Sequence, residues 1–366
     1  MIFLTKKFKQ IFPLGLLSGF FAIIASLHSY AQTTTNFNDG YITIFRQTST
    51  STLGSTGTAI YIDEYHPITA TQSSANFTVT IPSSGASGMV AGATTSSNGA
   101  ITRSENGRYV LIPGFSTGTG GASLGAANTT NTLCAVRPID GTGTINVGIT
   151  GTANWFTNAN DFRGATSDDL TNYWLTGNTL GVLTTTNGTT VTPLIATTTS
   201  SSYLNTRVVN IFNGQLYYAT GSTTPSAGIY QIGSGKPTLA NQTATNINNP
   251  IPYGFSISPD GLTMYAVNTN TIVRYTYSGT YNSSNGAYTG GVWSAASTGF
   301  TLSGATGLVV DWSNYTFSAS TASNGAIVYA SNPTNLVRGV DNGTGAITTS
   351  SLATLTGFNT FKQIAF

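Results

Sequence analysis

One repeated unit constrains the fold more than any other feature of the sequence. It consists of a short apolar strand, a turn built from Ser, Asp, Asn or Gly, and a second strand that carries an aromatic residue. Copies of the unit cover residues 100–110, 163–175, 207–217 and 254–265, a weaker copy begins at Gly307, and a single strand covers 361–366. Their spacing of roughly 45 to 65 residues matches the length of a four-stranded propeller blade.

The two ends of the chain predict how such a ring closes. Strands near Tyr41, Ile60 and Phe77 precede the first full unit, and the last strand has no partner after it. A C-terminal strand that joins those three as the innermost strand of their blade leaves no open end. We therefore predict an all-β β-propeller of six four-stranded blades, with seven as the alternative because the interval between Gly107 and Asp168 is long. A β-helix solenoid is the rival fold, although its units are shorter and lack hairpin turns.

The N-terminal segment predicts export. Three lysines precede an apolar run from Ile11 to Leu27, and Ser29 and Ala31 place small residues at a cleavage site. This is the three-part pattern of a signal peptide, with an uncleaved membrane anchor as the alternative. We expect residues 1–31 to be removed, and residues 32–366 to form one domain that is secreted or held at the cell surface.

The chain is poor in charge, which excludes one class of partner. Only 7% of its residues are charged, and the formal net charge of +2 falls to −1 once the three signal-peptide lysines are removed. Nucleic-acid binding needs clustered Lys and Arg, so no nucleic-acid partner is predicted. The single cysteine, Cys134, excludes an internal disulfide, and its apolar neighbours predict a buried position.

Several short motifs carry a resemblance to known propellers. The turn Ser258-Pro259-Asp260-Gly261, followed by a tyrosine-bearing strand, resembles the blade turn of many propeller families. The chain also resembles a group of secreted bacterial propeller-like proteins without assigned function. The motifs that carry this second resemblance are Asp63-Glu64-Tyr65, Phe162-Arg163-Gly164-Ala165, Thr206-Arg207-Val208-Val209-Asn210 and Phe361-Lys362-Gln363-Ile364-Ala365. The last motif departs from the Phe-Arg-Gly form of that group, and the resemblance implies fold and export but no activity.

Three basic residues share one position in the repeat. Alignment of the repeats on their turns places Arg163, Arg207 and Lys362 four residues before the turn. In a propeller this position is the start of the innermost strand, at one mouth of the central channel. Three cations there predict a site for an anionic group such as a uronic acid or a sulfated sugar. The alternative is that each pairs with an acid such as Asp161 or with carbonyl groups of an adjacent blade.

Aromatic residues provide a second candidate site. A Trp-Phe pair at 155–156 lies among Asn and Thr in a predicted loop, and the segment 275–288 holds four tyrosines among Ser, Asn and Gly. Aromatic faces beside amides suit sugar rings, whereas packing between blades is the alternative. The candidate ligand contacts are Trp155, Phe156, Tyr277 and Tyr281.

Calcium is the one metal that the sequence leaves open. Asp161, Asp168 and Asp169 offer carboxylates on predicted turns, although the chain has no Asp-x-Asp-x-Asp-Gly loop. Zinc is not predicted because no His and Cys cluster exists. The densest ionisable group, residues 63–66, is interpreted as a solvated strand end, with a metal site or a general base as the alternative.

Two functions from different classes follow. The first is a non-catalytic propeller that binds a glycan or an extracellular protein, in adhesion or in a matrix, and the scarcity of His, Glu and Cys favours it. The alternative is a channel-centred hydrolase, lyase or lactonase that uses Asp residues and a divalent metal. No cofactor other than calcium is predicted.

Overall fold

The computed structural model describes residues 36–48, 56–92, 98–119, 124, 133–152, 155–156, 162–195, 203–222, 226–250, 253–315, 325–343, 346–357 and 359–365. These residues contain 26 β-strands and no α-helix. Within the same ranges, no helix has the length and apolar character needed to cross a membrane. The predicted signal peptide, residues 1–31, and the candidate ligand Asp161 lie outside the described residues.

The strands form six four-stranded sheets, which we number as blades 1 to 6 along the chain. Blade 1 contains β1 (Ile42–Thr48), β2 (Ala59–Tyr65), β3 (Phe77–Thr80) and β26 (Asn359–Ala365), and blade 2 contains β4 (Thr102–Arg103), β5 (Tyr109–Ser116), β6 (Leu133–Asp140) and β7 (Ile149–Thr150). Blade 3 contains β8 (Phe162–Ser167), β9 (Tyr173–Gly177), β10 (Val182–Thr185) and β11 (Thr192–Pro193), and blade 4 contains β12 (Thr206–Phe212), β13 (Gln215–Thr220), β14 (Gly228–Ile232) and β15 (Ala244–Asn248). Blade 5 contains β16 (Phe255–Ile257), β17 (Thr263–Asn268), β18 (Thr271–Tyr277) and β21 (Trp293–Thr301), with the hairpin β19 (Thr280–Asn282) and β20 (Ala287–Thr289) inserted between its last two strands. Blade 6 contains β22 (Gly307–Asp311), β23 (Ala326–Ser331), β24 (Asn335–Asp341) and β25 (Thr348–Thr354).

The C-terminal strand closes the ring as the sequence predicts. β26 pairs antiparallel with β1, with Ile44 opposite Ile364, and so becomes the innermost strand of blade 1. The prediction of six four-stranded blades is confirmed, and the seven-bladed alternative is wrong. Closure by two distant segments of chain pairs the ends of the array with each other and removes exposed edges.

Turn chemistry explains why strands that follow one another in the sequence pair within the blades. Asn213 and Gly214 join β12 to β13 with φ values of 52° and 71°. Positive φ at both central residues defines a type I′ turn, whose twist matches that of the flanking strands. In the equivalent turn of blade 5, Asp260 Oδ1 accepts from Leu262 N at 3.0 Å and Ser258 Oγ accepts from Thr263 N at 2.9 Å.

The core is divided among the blade junctions. Six clusters of buried apolar residues are present, and each joins the facing sheets of two neighbouring blades. Cys134 lies in the cluster between blades 2 and 3, as predicted, and burial raises its thiol pKa to about 12. Full burial of one Leu-sized side chain contributes about 1.5–3 kcal/mol, so the junctions hold the ring together without a disulfide.

The central channel contains a cavity of about 350 Å³. Innermost strands of five blades line it, whereas β8 of blade 3 is buried along its whole length. The start of blade 2 lies alongside β8, where Ala100 N donates to Arg163 O at 2.8 Å and Thr102 Oγ1 donates to Ala165 O at 2.6 Å. No described residue of blade 3 therefore contributes to the wall of this cavity.

Candidate functional site

The inserted hairpin is the part of blade 5 that departs from the four-stranded plan. Its turn is closed by a hydrogen bond from Gly286 N to Asn282 O at 2.8 Å, and Gly286 has a φ of 72°. The tip of the hairpin reaches blade 4, where Gln231 Nε2 donates to Asn285 O at 2.8 Å. The hairpin therefore covers part of the junction between blades 4 and 5.

Four aromatic rings pack together, two of them from the hairpin and two from the strands of blade 5 that flank it. The ring of Tyr288 lies 4.8 Å from that of Tyr281, 5.0 Å from that of Tyr277 and 5.4 Å from that of Trp293. Tyr217 of blade 4 approaches the same cluster, with its Oη 3.4 Å from Tyr281 Oη. Tilted and edge-to-face pairs contribute about 0.5–1.5 kcal/mol each beyond their buried area, so the rings hold the hairpin in place.

A groove of about 670 Å³ opens between this cluster and the outer strand of blade 4. We call it the amide–aromatic groove. Its aromatic residues are Tyr277, Tyr288 and Trp293, and its amide side chains are Gln231, Asn246, Asn248, Asn249 and Asn285. The other lining residues are Gly233, Ser234, Thr245, Ile247, Ala287, Gly291 and Val292, so no ionisable group other than the tyrosines lines the groove.

Three polar atoms of the amide–aromatic groove are buried without a hydrogen-bond partner. They are Asn248 Nδ2, Trp293 Nε1 and Tyr288 Oη, which interacts with the Tyr217 hydroxyl but lies outside hydrogen-bond geometry to it. Leaving one buried donor unpaired costs about 1–3 kcal/mol, and native structures rarely do so. Burial also raises the pKa of Tyr288 above its ordinary value, so this hydroxyl stays protonated and the groove stays neutral at physiological pH.

The aromatic candidates from the sequence separate into two pairs. Tyr277 lines the groove, and Tyr281 belongs to the hairpin, with its ring packed against Gly261 so closely that a Cβ there would overlap it. The predicted loop aromatics Trp155 and Phe156 are instead core residues, with exposed fractions of 3% and 0%.

Contacts on all sides explain why Trp155 and Phe156 are not available to a ligand. Trp155 Nε1 donates to Gly188 O at 2.7 Å. Both rings pack on Phe162, at centroid distances of 5.2 Å and 6.1 Å. The expectation of ligand contact at this pair is therefore replaced by the packing alternative, because the segment folds inward between blades 2 and 3.

The basic residues Arg163, Arg207 and Lys362 occupy the shared position that the sequence predicts. Each lies on an innermost strand where the pairing register shifts, as at a β-bulge. Bulges re-aim side chains, and none of the three residues lines the channel cavity. Arg163 and Lys362 are buried and Arg207 is half-buried.

The arginines direct their side chains toward the next blade. The Arg163 guanidinium donates to Asn205 Oδ1 and, at 3.3 Å, to Thr206 O. The Arg207 guanidinium lies over the Tyr253 ring at 3.9 Å from its centroid, and burial lowers its pKa. These contacts match the alternative in which the cations bind groups of an adjacent blade, and anion binding at this position stays a prediction.

The weak metal candidates occupy a turn of blade 3. Asp168 Oδ1 accepts from Asn172 N at 2.9 Å, and its Oδ2 accepts from Asn172 Nδ2 at 2.7 Å. Burial opposes ionisation of Asp168, but these hydrogen bonds outweigh it and lower its pKa. Asp169 Oδ1 accepts from Thr171 N at 3.3 Å. In the described part of the chain, no three His, Cys, Asp or Glu side chains are grouped to hold a metal, and calcium binding stays a prediction.

The acidic segment of blade 1 is not the solvated strand end that the sequence suggests. Asp63 and Glu64 are each 1% exposed within β2. Asp63 pairs with Arg46, and Glu64 accepts from Asn38 Nδ2 at 2.7 Å and from Asn76 Nδ2 at 2.9 Å. Because neighbouring strands and Asn38 cover these carboxylates, they hold parts of blade 1 together rather than forming a surface turn.

Sequence reasoning missed most of the amide–aromatic groove. Trp293 and the amides of blade 4 were not identified, although Asn246 and Asn248 alternate along a strand and Trp293 follows a Gly-Gly pair. That alternation indicates a polar strand face. It does not indicate which hairpin lies opposite.

The fold has known counterparts. No family model and no curated protein sequence matches this chain. Its structure is similar to a periplasmic gluconolactonase of Pseudomonas aeruginosa at 14% identity, with 84% of this chain and 82% of the other covered and a TM-score of 0.38. A gluconolactonase of Xanthomonas campestris matches at 13% identity, with 85% of each chain covered and a TM-score of 0.41. TolB of Acinetobacter baumannii matches at 10% identity, with 89% and 66% covered and a TM-score of 0.46. What the chain itself establishes is the fold, a six-bladed β-propeller closed by its C-terminal strand.

Proposed function

We propose that this protein is an exported, non-catalytic binding propeller, and that the amide–aromatic groove binds neutral carbohydrate. The observation that carries the proposal is the composition of the groove: three aromatic side chains face five amides, with no charged residue among them. The export part of the proposal rests on the predicted signal peptide.

The chemistry of sugars fits this lining. The C–H face of a pyranose ring stacks on an aromatic face, and its hydroxyl groups both donate and accept hydrogen bonds. Asn and Gln side chains likewise donate through nitrogen and accept through oxygen, so they match hydroxyl groups in either direction. A volume of about 670 Å³ lies within the range of about 300–1,000 Å³ that is typical of ligand pockets.

The same lining supports binding without turnover. Hydrolysis of a glycosidic bond generally needs two carboxyl groups on either side of the scissile bond. The groove contains no Asp, Glu, His, Lys, Arg or Cys among its lining residues. A bound sugar would therefore meet tyrosine hydroxyls there, but no carboxylate, imidazole, amine or thiol to act as general acid, general base or nucleophile.

A binding screen tests the proposal. We would measure the affinity of the purified protein for cellohexaose, mannohexaose and xylohexaose, with trigalacturonic acid as the charged comparison. We expect at least one neutral hexaose to bind, and Trp293→Ala to weaken that binding about 30-fold or more, since buried tryptophan contacts are often worth 2 kcal/mol or more.

Tyr109→Ala is the matched control. Tyr109 is also a half-buried aromatic, but it lines a separate cleft with Arg103, Arg108 and Asp140. Its replacement should leave hexaose affinity unchanged. Failure of all three neutral sugars to bind, or equal losses in the two variants, would reject the groove as a carbohydrate site. Binding of trigalacturonic acid that Arg163→Ala and Arg207→Ala abolish would instead support the predicted anion site.

A further inference from the structure

We infer that the three unpartnered atoms of the amide–aromatic groove, Asn248 Nδ2, Tyr288 Oη and Trp293 Nε1, are the donors that hold the ligand, and that this ligand is an uncharged pyranose oligomer. The inference rests on the proposed function and deepens it. It names the atoms that make the contacts and the chemical class that they select.

Their location is the first argument. All three atoms belong to side chains that line one groove, although Asn248 lies in blade 4 and the other two lie in blade 5 and its hairpin. The channel cavity and the cleft between blades 1 and 2 are lined by described residues, none of which has a buried polar side-chain atom without a partner. Of these three cavities, only the amide–aromatic groove has such atoms among its lining side chains.

Their chemistry is the second argument. The amide nitrogen of Asn248 and the indole nitrogen of Trp293 only donate, and a tyrosine hydroxyl can donate as well. The ligand must therefore present acceptor oxygens at several points, as the hydroxyl and ring oxygens of a sugar do. A carboxylate or sulfate would also accept, but the groove has no cation to offset its desolvation.

Their burial is the third argument. Each of the three atoms has almost no exposed surface in this structure, so neighbouring side chains must move before a ligand can reach them. The hairpin is held to blade 4 by the hydrogen bond from Gln231 Nε2 to Asn285 O at 2.8 Å and by the 3.4 Å contact between Tyr217 Oη and Tyr281 Oη. Binding exchanges part of this cover for ligand hydroxyl groups.

The inference predicts opposite effects on stability and affinity. Tyr288→Phe and Trp293→Phe each remove an unpaired polar atom and keep an aromatic ring. The free Tyr288→Phe variant should melt at the same temperature as the wild type or higher, since no hydrogen bond is lost. Trp293→Phe also loses packing against Tyr277 and Tyr288, so its test is the affinity alone. Their affinity for the neutral hexaose that binds best should fall about tenfold, which corresponds to one lost hydrogen bond of about 1.4 kcal/mol.

Tyr218→Phe provides the control. Tyr218 lies in blade 4, is 0% exposed and also has an unpartnered Oη, but it does not line the groove. Its replacement should leave the melting temperature unchanged or raised, with hexaose affinity unchanged. Calorimetric titration and thermal melting on the four proteins supply both quantities.

The outcomes separate this inference from the proposed function. If Trp293→Ala abolishes binding while both Phe variants bind as the wild type does, the groove binds sugar by stacking alone and the donor assignment is wrong. If Tyr288→Phe lowers the melting temperature together with the affinity, its hydroxyl is paired in the free protein and the inference also fails. If the wild type binds no neutral hexaose, the proposed function fails and the inference fails with it.

Discussion

Two neighbouring blade junctions of this propeller solve the same packing problem in different ways. At the junction of blades 5 and 6, Asp341 accepts from Arg274 Nη1 at 2.8 Å and from Tyr265 Oη at 2.5 Å. At the outer part of the junction of blades 4 and 5, Asn248 and Trp293 leave donors unpaired beside an open groove. The polar groups of the first junction converge on Asp341 and close it, although Arg274 Nε has no partner, whereas those of the second junction lie beside a groove.

The difference indicates which polar groups of a closed ring are available to bind a ligand. Every junction must bury apolar surface, and both of these have an apolar cluster. Polar groups beyond that requirement either tie blades together or serve a ligand. Because each partner of a buried ion pair needs the other to compensate its charge, the Arg274–Asp341 pair fits the first role and the neutral groove fits the second.

The largest expected effect comes from breaking the closed junction. Asp341→Ala leaves the Arg274 guanidinium and the Tyr265 hydroxyl buried without their shared acceptor. We expect a loss of about 3–5 kcal/mol in the free energy of unfolding, measured by urea denaturation. Hexaose affinity, measured on the protein that remains folded, should be unchanged.

Two controls separate the ion pair from general effects of substitution. Asp39→Ala removes an exposed carboxylate and should change stability by no more than about 0.5 kcal/mol. The double variant Arg274→Met with Asp341→Leu should recover most of the loss, since apolar replacement of a buried pair is often neutral. A loss below about 1 kcal/mol for Asp341→Ala would remove the contrast between the two junctions.

Replacement of a buried lysine at the junction of blades 6 and 1 gives the next largest effect, and it raises the free energy of unfolding instead of lowering it. Burial lowers the pKa of Lys362 from 10.5 to about 8. The unfolded chain therefore keeps this proton at pH values where the folded chain has lost it. Keeping the buried Lys362 charged lowers the free energy of unfolding by about 3 kcal/mol. This loss is present in full below pH 8 and disappears as the pH rises toward 10.5.

Lys362→Met tests this pH dependence. We expect the variant to be more stable than the wild type by about 3 kcal/mol at pH 7, and the difference to shrink by about 2 kcal/mol at pH 9.5. Unfolding in urea at the two pH values measures it. Tyrosines begin to ionise by pH 9.5, but their contribution is the same in both proteins and cancels in the difference. A difference that does not change with pH would show that Lys362 is charged and well solvated in the folded protein.

The sequence predicted the ring because the ring is a local property repeated six times. Turns such as Asn213-Gly214 and Asp260-Gly261 specify hairpins from adjacent residues, and the unpaired strand near Phe361 indicates closure. Periodicity of this kind requires no knowledge of distant contacts. Blade number and strand order therefore followed from the sequence.

The site was only partly predictable because it is formed between blades. The tyrosine-rich segment was identified from composition, but its partners Asn246 and Asn248 lie in another blade, and nothing in their spacing specifies contact with the hairpin. The prediction of ligand contacts at Trp155 and Phe156 does not match the structure, for the converse reason. Their Asn and Thr neighbours indicate a loop, whereas burial of the two rings depends on packing against blade 3.

The hairpin itself provides the smallest effect and the most direct test of how the open junction is built. Gly261 has a φ of 75°, and a Cβ there would overlap the Tyr281 ring, whereas Gly85 has a φ of 82° and no atom within 4 Å of the same position. Gly85→Ala should cost about 1 kcal/mol for the backbone alone, and Gly261→Ala about 2–3 kcal/mol, because the ring must also move. Displacing Tyr281 also displaces its neighbour Tyr288, so only Gly261→Ala should weaken hexaose binding. Equal losses of stability and unchanged affinity in both variants would mean that the hairpin does not rest on the blade 5 turn, and the groove would then lack the wall that distinguishes this junction from its closed neighbour.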